Sequence, residues 1–175
     1  RYDTPKYSGA SLAVAYGQDV LSDNNDTDYY DIALRWSGER GDYALAAAAG
    51  YSWAEDDSTA EAMLGSFSVL HNPTGLNLAV SAGSDPDGGS YGYIKGGWKA
   101  DLIAQGATNF AVDYSSGSDF GTDGSSSDAF GLSAVQVIDD LDLEVYLGYR
   151  AYTYDDDAGS YDDASSVLFG ARYRF

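Results

Sequence analysis

SVLFGARYRF, residues 166–175, is the stretch whose reading decides the fold. In an extended chain Val167, Phe169, Ala171, Tyr173 and Phe175 share one face, while Arg172 and Arg174 take the other. Successive side chains of a strand point to opposite sides, so this is the period of a strand with one apolar and one polar face. A chance terminal Phe is common, but an alternating decamer that ends on one is not. The same period runs back through the chain. Leu143, Val145, Leu147 and Tyr149 are set against Glu144, Tyr146, Gly148 and Arg150. Phe110, Val112 and Tyr114 form another face, as do Ile94 with Trp98, and Leu76, Leu78, Val80 and Ala82. Tyr43, Leu45, Ala47, Ala49, Tyr51 and Trp53 share a face, and Ile32, Leu34 and Trp36 alternate with Asp31, Ala33 and Arg35. Leu12, Val14 and Tyr16 alternate with Ser11, Ala13 and Ala15. In residues 61–71 and 129–138 either face could be the apolar one. The Ala-rich stretch 44–50 is compatible with a helix, since Ala is the best helix former. Tyr and Trp flank it, Gly50 ends it and no cap precedes it, so a strand is expected there.

Between these segments two kinds of turn alternate. One kind is compact: KYSG at 6–9, SGERGD at 37–42, NPTG at 72–75, DLIAQG at 101–106 and DDLD at 139–142. The other is longer and acidic: QDVLSDNNDTD at 18–28, EDDST at 55–59, SDPDGGS at 84–90, SSGSDFGTDGSSSD at 115–128 and DDDAGSYDD at 155–163. Short turns at one end and long polar loops at the other are the asymmetry of membrane barrels. A soluble meander has no reason to sort its loops in this way. An all-β, antiparallel transmembrane barrel is the expected fold class.

The totals agree with this and exclude other classes. The chain of 175 residues carries no Cys, so disulfides and thiolate metal sites are ruled out. Nine basic against 28 acidic residues give a net charge of -19, which would repel nucleic acid. Aromatic residues make up 14% of the chain, too many for an acidic disordered segment. The longest weakly polar run, YALAAAAGYSWA at 43–54, falls short of the ~20 residues a membrane helix needs. Membrane strands need only ~10 and hide their signal in alternation. Alternation alone leaves open a soluble barrel, apolar inside. Two features favour the membrane: aromatic residues crowd the ends of the apolar faces, and the polar faces carry small residues with isolated charges.

SVLFGARYRF also resembles the carboxyl-terminal signal that the assembly machinery of outer-membrane barrels reads. Together with RYDTPKYSGASLAVAYG, SVLHNPTGLNLAVSAG and YGYIKGGWKADL, it makes the chain similar to the general porins of proteobacteria, particularly the alphaproteobacterial type. The match spans nearly the whole chain and is one of pattern, with no catalytic motif in it. The resemblance implies an outer-membrane channel for passive diffusion of ions and small polar solutes, and no enzymatic activity. It implies a trimer of sixteen-stranded barrels, each narrowed by an inward-folded loop, with membrane lipid and lipopolysaccharide as surroundings. Residues 1–175 are expected to form a single barrel domain of ten full strands preceded by a tail at Arg1–Thr4. By comparison with the family these would be strands six to sixteen, with the constriction loop upstream. The alternative is a small closed barrel of ten strands, with an enzymatic or structural role and residues 1–5 as an arm.

Little in the chain speaks for catalysis. A Ser-His-acid triad would need the single histidine, His71, which precedes a compact turn and reads as structural. No GxGxxG, P-loop or HExxH motif is present. Asp85 and Asp87, and Asp155, Asp156 and Asp157 with Asp162 and Asp163, offer hard oxygen ligands suited to calcium. None fits the twelve-residue calcium loop, and solvated acidic loops are the simpler reading. No cofactor is therefore expected. The scarce basic residues are more informative. Arg35, Lys95, Arg150, Arg172 and Arg174 all fall on polar faces, with Asp31, Asp113, Asp142 and Glu144. A charge on the lipid face would cost ~2–4 kcal/mol at the midplane, so these residues are expected to line the pore. The resemblance implies that such a basic wall opposes acidic residues of the inward loop. The alternative is that the arginines are salt-bridged supports of the wall.

Overall fold

The structure, a computed structural model, describes residues 1–18, 27–55, 60–85, 88–120 and 122–175. It is all-β. Strands β1 (Tyr2–Asp3), β2 (Ala10–Gln18), β3 (Asp28–Arg40), β4 (Tyr43–Glu55), β5 (Ala60–His71) and β6 (Leu76–Ser84) come first. They are followed by β7 (Ser90–Ile103), β8 (Gly106–Ser118), β9 (Ser126–Ile138), β10 (Leu143–Asp156), β11 (Gly159–Ser160) and β12 (Ala164–Tyr173). Among the described residues the one helical element is a three-residue 3₁₀ turn, Asp139–Leu141. Every ladder is antiparallel between sequence neighbours, except that β12 pairs with β10 beyond the two-residue β11. The result is one meandering sheet in which, among the described residues, no ladder joins β12 to β1 or β2, so that it has two edges. The Ala-rich stretch belongs to β4, where Tyr43, Tyr51 and Trp53 fix the strand choice that Ala itself does not make.

Register fixes the faces, because directly paired residues project to the same side. Val14 pairs with Ile32, which pairs with Tyr51, which pairs with Met63. On the other flank Val112 pairs with Leu132, Leu132 with Tyr149 and Tyr149 with Val167. One continuous apolar face thus crosses the sheet. Residues 61–71 and 129–138 were ambiguous because both of their faces carry apolar residues. Met63, Phe67, Val69, Phe130 and Leu132 join the apolar face, whereas Leu64, Leu70, Val135 and Val137 lie on the polar one.

No second layer covers the apolar face among the described residues. Over both faces of the described residues the buried apolar side chains are only Ala13 and Ala100, while on the apolar face Leu132 is 47% exposed and Phe169 74%. The face is banded. At the loop end Tyr16 donates to Asp28 (2.8 Å) and Tyr114 to Asp128 (2.5 Å). At the turn end Trp98 Nε1 donates to the Thr74 carbonyl (3.1 Å). Rings cluster at both ends: Tyr30 on Trp53 at 5.1 Å, and Trp98 on Phe110 at 6.1 Å.

The compact turns are tightly bonded. In NPTG, Gly75 takes φ +70° and donates to the His71 carbonyl (2.9 Å), and its own carbonyl accepts from Lys99 N–H (2.9 Å). A Cβ at Gly75 would stand 1.9 Å from the Lys99 carbonyl oxygen. Gly75→Ala therefore meets both a left-handed backbone and a backbone clash, and is expected to destabilise the fold by about 1–3 kcal/mol. The urea midpoint of the refolded protein measures it. The DDLD turn corrects one expectation. Asp142 is not on the polar face of a strand: it closes the 3₁₀ turn at φ 46°, and its carbonyl accepts from Arg174 N–H (3.0 Å).

Candidate functional site

The polar face collects the charged residues singled out in the sequence. Lys95 pairs with Asp113, Asp113 with Gly131, and Gly131 with Arg150, forming one row across β7 to β10. Arg150 reaches over Gly131 to form an ion pair with Asp113. Gly131 is what permits the reach, since a Cβ there would stand 2.5 Å from an Asp113 carboxylate oxygen. The Asp113 side chain is recessed, 14% exposed, and the buried Nε of Arg150 has no hydrogen-bond partner. Nearer the turns, Glu144 accepts from both Arg172 and Arg174, the latter at 2.5 Å. Arg35 lies 3.7 Å from Asp3, which also holds Arg1 at 2.8 Å. Asp31 accepts from Ser52 (2.5 Å). Among the described residues Lys95 makes no ion pair.

Eight of the nine charged residues expected on the polar face, Asp31, Arg35, Lys95, Asp113, Glu144, Arg150, Arg172 and Arg174, thus have that phase, Arg174 by extrapolation beyond β12, and Asp142 does not. The arginines are paired, as the reading of salt-bridged supports anticipates. The sequence reading missed Asp3, which gathers two arginines, and the tyrosines Tyr91, Tyr93, Tyr152 and Tyr154 on the same face. Alternation could have found the tyrosines: Tyr93 stands two residues from Lys95, and Tyr152 two from Arg150.

The two faces pack differently. On the polar face neighbouring side chains lean over several of the glycines, though not over Gly17, Gly50 or Gly148. Added Cβ atoms at Gly83, Gly97 and Gly170 would come within 2.5 Å of Tyr91, 2.3 Å of Asn77 and 2.5 Å of Tyr146. On the apolar face Gly92 has nothing within 4 Å, and Gly65 and Gly96 meet only ordinary contacts. Ser11, Arg35, Ala48, Ser66, Ser81 and Tyr93, from six successive strands, line one groove of about 510 Å³ on the polar face. More open hollows on the apolar face lie over the small residues Gly65 and Gly96. Side chains thus crowd these glycines of the polar face and splay away from those of the apolar face.

No family model, curated protein or solved structure matches this chain. What the site can do therefore rests on its own geometry.

The acidic loop residues are placed as follows. Asp87 lies outside the described residues. Asp85 begins its loop, its N–H bonded to the Gly89 carbonyl (2.9 Å). Asp155 and Asp156 end β10 and Asp157 follows. Asp156 accepts from the N–H groups of Ala158 (2.8 Å) and Gly159 (3.1 Å) and from the Tyr161 hydroxyl (2.9 Å). That bond and the carboxylate charge raise the Tyr161 pKa above its ordinary value. Among the described residues no three potential ligands converge on a common point. His71 sits on the apolar face at the turn end, its Nδ1 2.7 Å from Thr74 Oγ1 and its ring against Tyr43.

Proposed function

We propose that this chain forms part of the wall of an outer-membrane β-barrel that lets ions and small polar solutes diffuse through a water-filled lumen. The observation that carries the reading is a single sheet with large apolar residues exposed on the splayed face and paired charges on the crowded one. In water such an apolar face is a liability far beyond the few hundred Å² a soluble protein tolerates. In hydrocarbon it is the required outer surface, and the banding by Tyr16, Tyr114 and Trp98 places polar groups of the rings at both interfaces. A soluble barrel, apolar inside, would reverse the crowding. The crowding at Gly83, Gly97, Gly131 and Gly170, all on the polar face, argues against it.

Hydrocarbon also forbids unpaired strand edges, because each free N–H or C=O costs several kcal/mol there. The outer edges of β2 and β12 must then be met, by further strands of the same barrel or by one another. Either closure gives a lumen lined by Asp31, Arg35, Lys95, Asp113, Glu144 and Arg150. Charged rings in such a lumen tune permeation and need no catalytic chemistry.

Planar-bilayer recording of the full-length protein tests this. Stepwise, ohmic conductance is expected after insertion. A protein that folds as sheet and inserts but passes no current would overturn the pore and leave a closed, structural barrel.

A further inference from the structure

One step toward the long loops from Lys95 and Arg150, the polar face carries two rows that contain no charge. Tyr93 pairs across to Ser115, Ala129 and Tyr152, and Tyr91 to Gly117, Ser127 and Tyr154. Small residues on β8 and β9 thus form a floor between tyrosines on β7 and β10. Three interstrand spacings separate the two walls, roughly 14 Å. Tyr91, Ser115, Ser127, Tyr152 and Tyr154 border a cavity of about 520 Å³, within the ~300–1,000 Å³ typical of small-molecule sites.

Phe120 overhangs this trough, and its described neighbours are bonded around it. Asp119 takes a left-handed backbone, φ 59°, and donates its N–H to the Ser125 carbonyl (2.8 Å). Its carboxylate accepts from Gly124 N–H (2.8 Å), and Ser125, 3% exposed, donates its hydroxyl to the Phe120 carbonyl (3.2 Å). The Phe120 ring rests over Gly89 and Gly117, where added Cβ atoms would come within 2.9 and 3.1 Å of it. The ring remains 48% exposed. A non-glycine residue held at positive φ to present an exposed aromatic ring points to a binding role.

The lining decides the ligand class. Tyrosine and phenylalanine rings offer flat apolar surfaces, and the Ser115 and Ser127 hydroxyls offer hydrogen bonds at the edges. The adjoining Asp113 and Arg150 neutralise each other. Asp128 also borders the cavity, but its register is that of the other face and its carboxylate accepts from Tyr114; Asp119 and Asp156 are taken up by N–H groups of their own loops. The net charge of -19 repels anions. A neutral ring with apolar faces and hydroxylated edges matches this set. We propose that the trough is a saccharide subsite on the loop side of the lumen, a reading that rests on the pore proposed above.

The test is titration of maltotriose against the ion current of the full-length protein in planar bilayers, with equilibrium binding measured separately by calorimetry in detergent. Saturable, partial block is expected. Tyr152→Ala and Phe120→Ala should each weaken block and binding about tenfold, while Tyr152→Phe keeps most of both. Far-ultraviolet circular dichroism and urea midpoints like those of the wild type would show that the variants fold. Conductance with neither block nor binding would overturn the subsite and leave the pore. Binding that the Ala variants abolish, in a protein that passes no current, would uphold the subsite and overturn the pore. Equal block of wild type and variants, or tighter block by indole than by maltotriose, would overturn the saccharide assignment.

Discussion

Leu132→Arg is expected to lower the stability of the protein folded into lipid vesicles by about 2–4 kcal/mol, whereas Ser133→Arg should change it little. The two residues are adjacent at the middle of β9, Ser126–Ile138, and project to opposite faces. Leu132 lies between Val112 and Tyr149 on the apolar face, 47% exposed. In the proposed barrel an arginine there would place its charge near the hydrocarbon midplane, too deep for its side chain to carry the guanidinium to either interface. Ser133 lies between Ala111 and Gly148 on the polar face, where water reaches and small neighbours leave room. Urea unfolding midpoints in vesicles compare the pair under one condition. Equal costs would mean that neither face contacts lipid. A larger cost for Ser133→Arg would mean that the polar face is the packed interior of a soluble sheet, and the membrane reading would fall.

The sheet was legible because most strands speak with one voice. In β6 Leu76, Leu78 and Val80, and in β8 Phe110, Val112 and Tyr114, alternate with small or polar residues, so period and phase come together. Where Leu64 and Leu70 or Val135 and Val137 put apolar residues on the polar face, the period survives but the phase is lost. Only the ladders to neighbouring strands restore it. Asp142 was misplaced because the alternation of β10 was carried one residue too far. The backbone turns left-handed there to join a 3₁₀ turn, which charge pattern does not reveal.

For the site, sequence could place charges on a face but not join them. Arg150 and Asp113 stand 37 residues apart on β10 and β8, and their contact depends on Gly131 of the strand between. A pairing through a missing side chain leaves no local signature. Asp3 was overlooked for a related reason: in Arg1–Thr4 too few residues exist to establish a phase. Its pairing with Arg35 follows from the two-residue ladder of β1 on β2.

Those pairings shape the last expected result. Changing Arg35, Lys95 and Arg150 together to Gln should raise cation over anion permeability of the proposed pore by about two- to fivefold, since one unit charge at 4 Å is worth ~1 kcal/mol in water. The net charge of -19 alone would suggest strong cation preference already. Much of that charge lies in the long loops, however, and at 1 M salt the screening length is only ~3 Å. Selectivity at high salt therefore reports the wall. Arg150→Gln not only removes a cation but leaves the recessed Asp113 carboxylate without its partner. Arg35→Gln likewise leaves Asp3 shared with Arg1 alone. Lys95, which makes no ion pair among the described residues, contributes its full charge to passing anions. Its loss should account for most of the fall in anion current, and Lys95→Gln alone should reproduce much of the triple change. Reversal potentials across a salt gradient at high concentration read this directly. If the triple variant reverses at the wild-type potential, these residues do not border the conducting path. The lumen would then lie on the other side of the sheet or be closed.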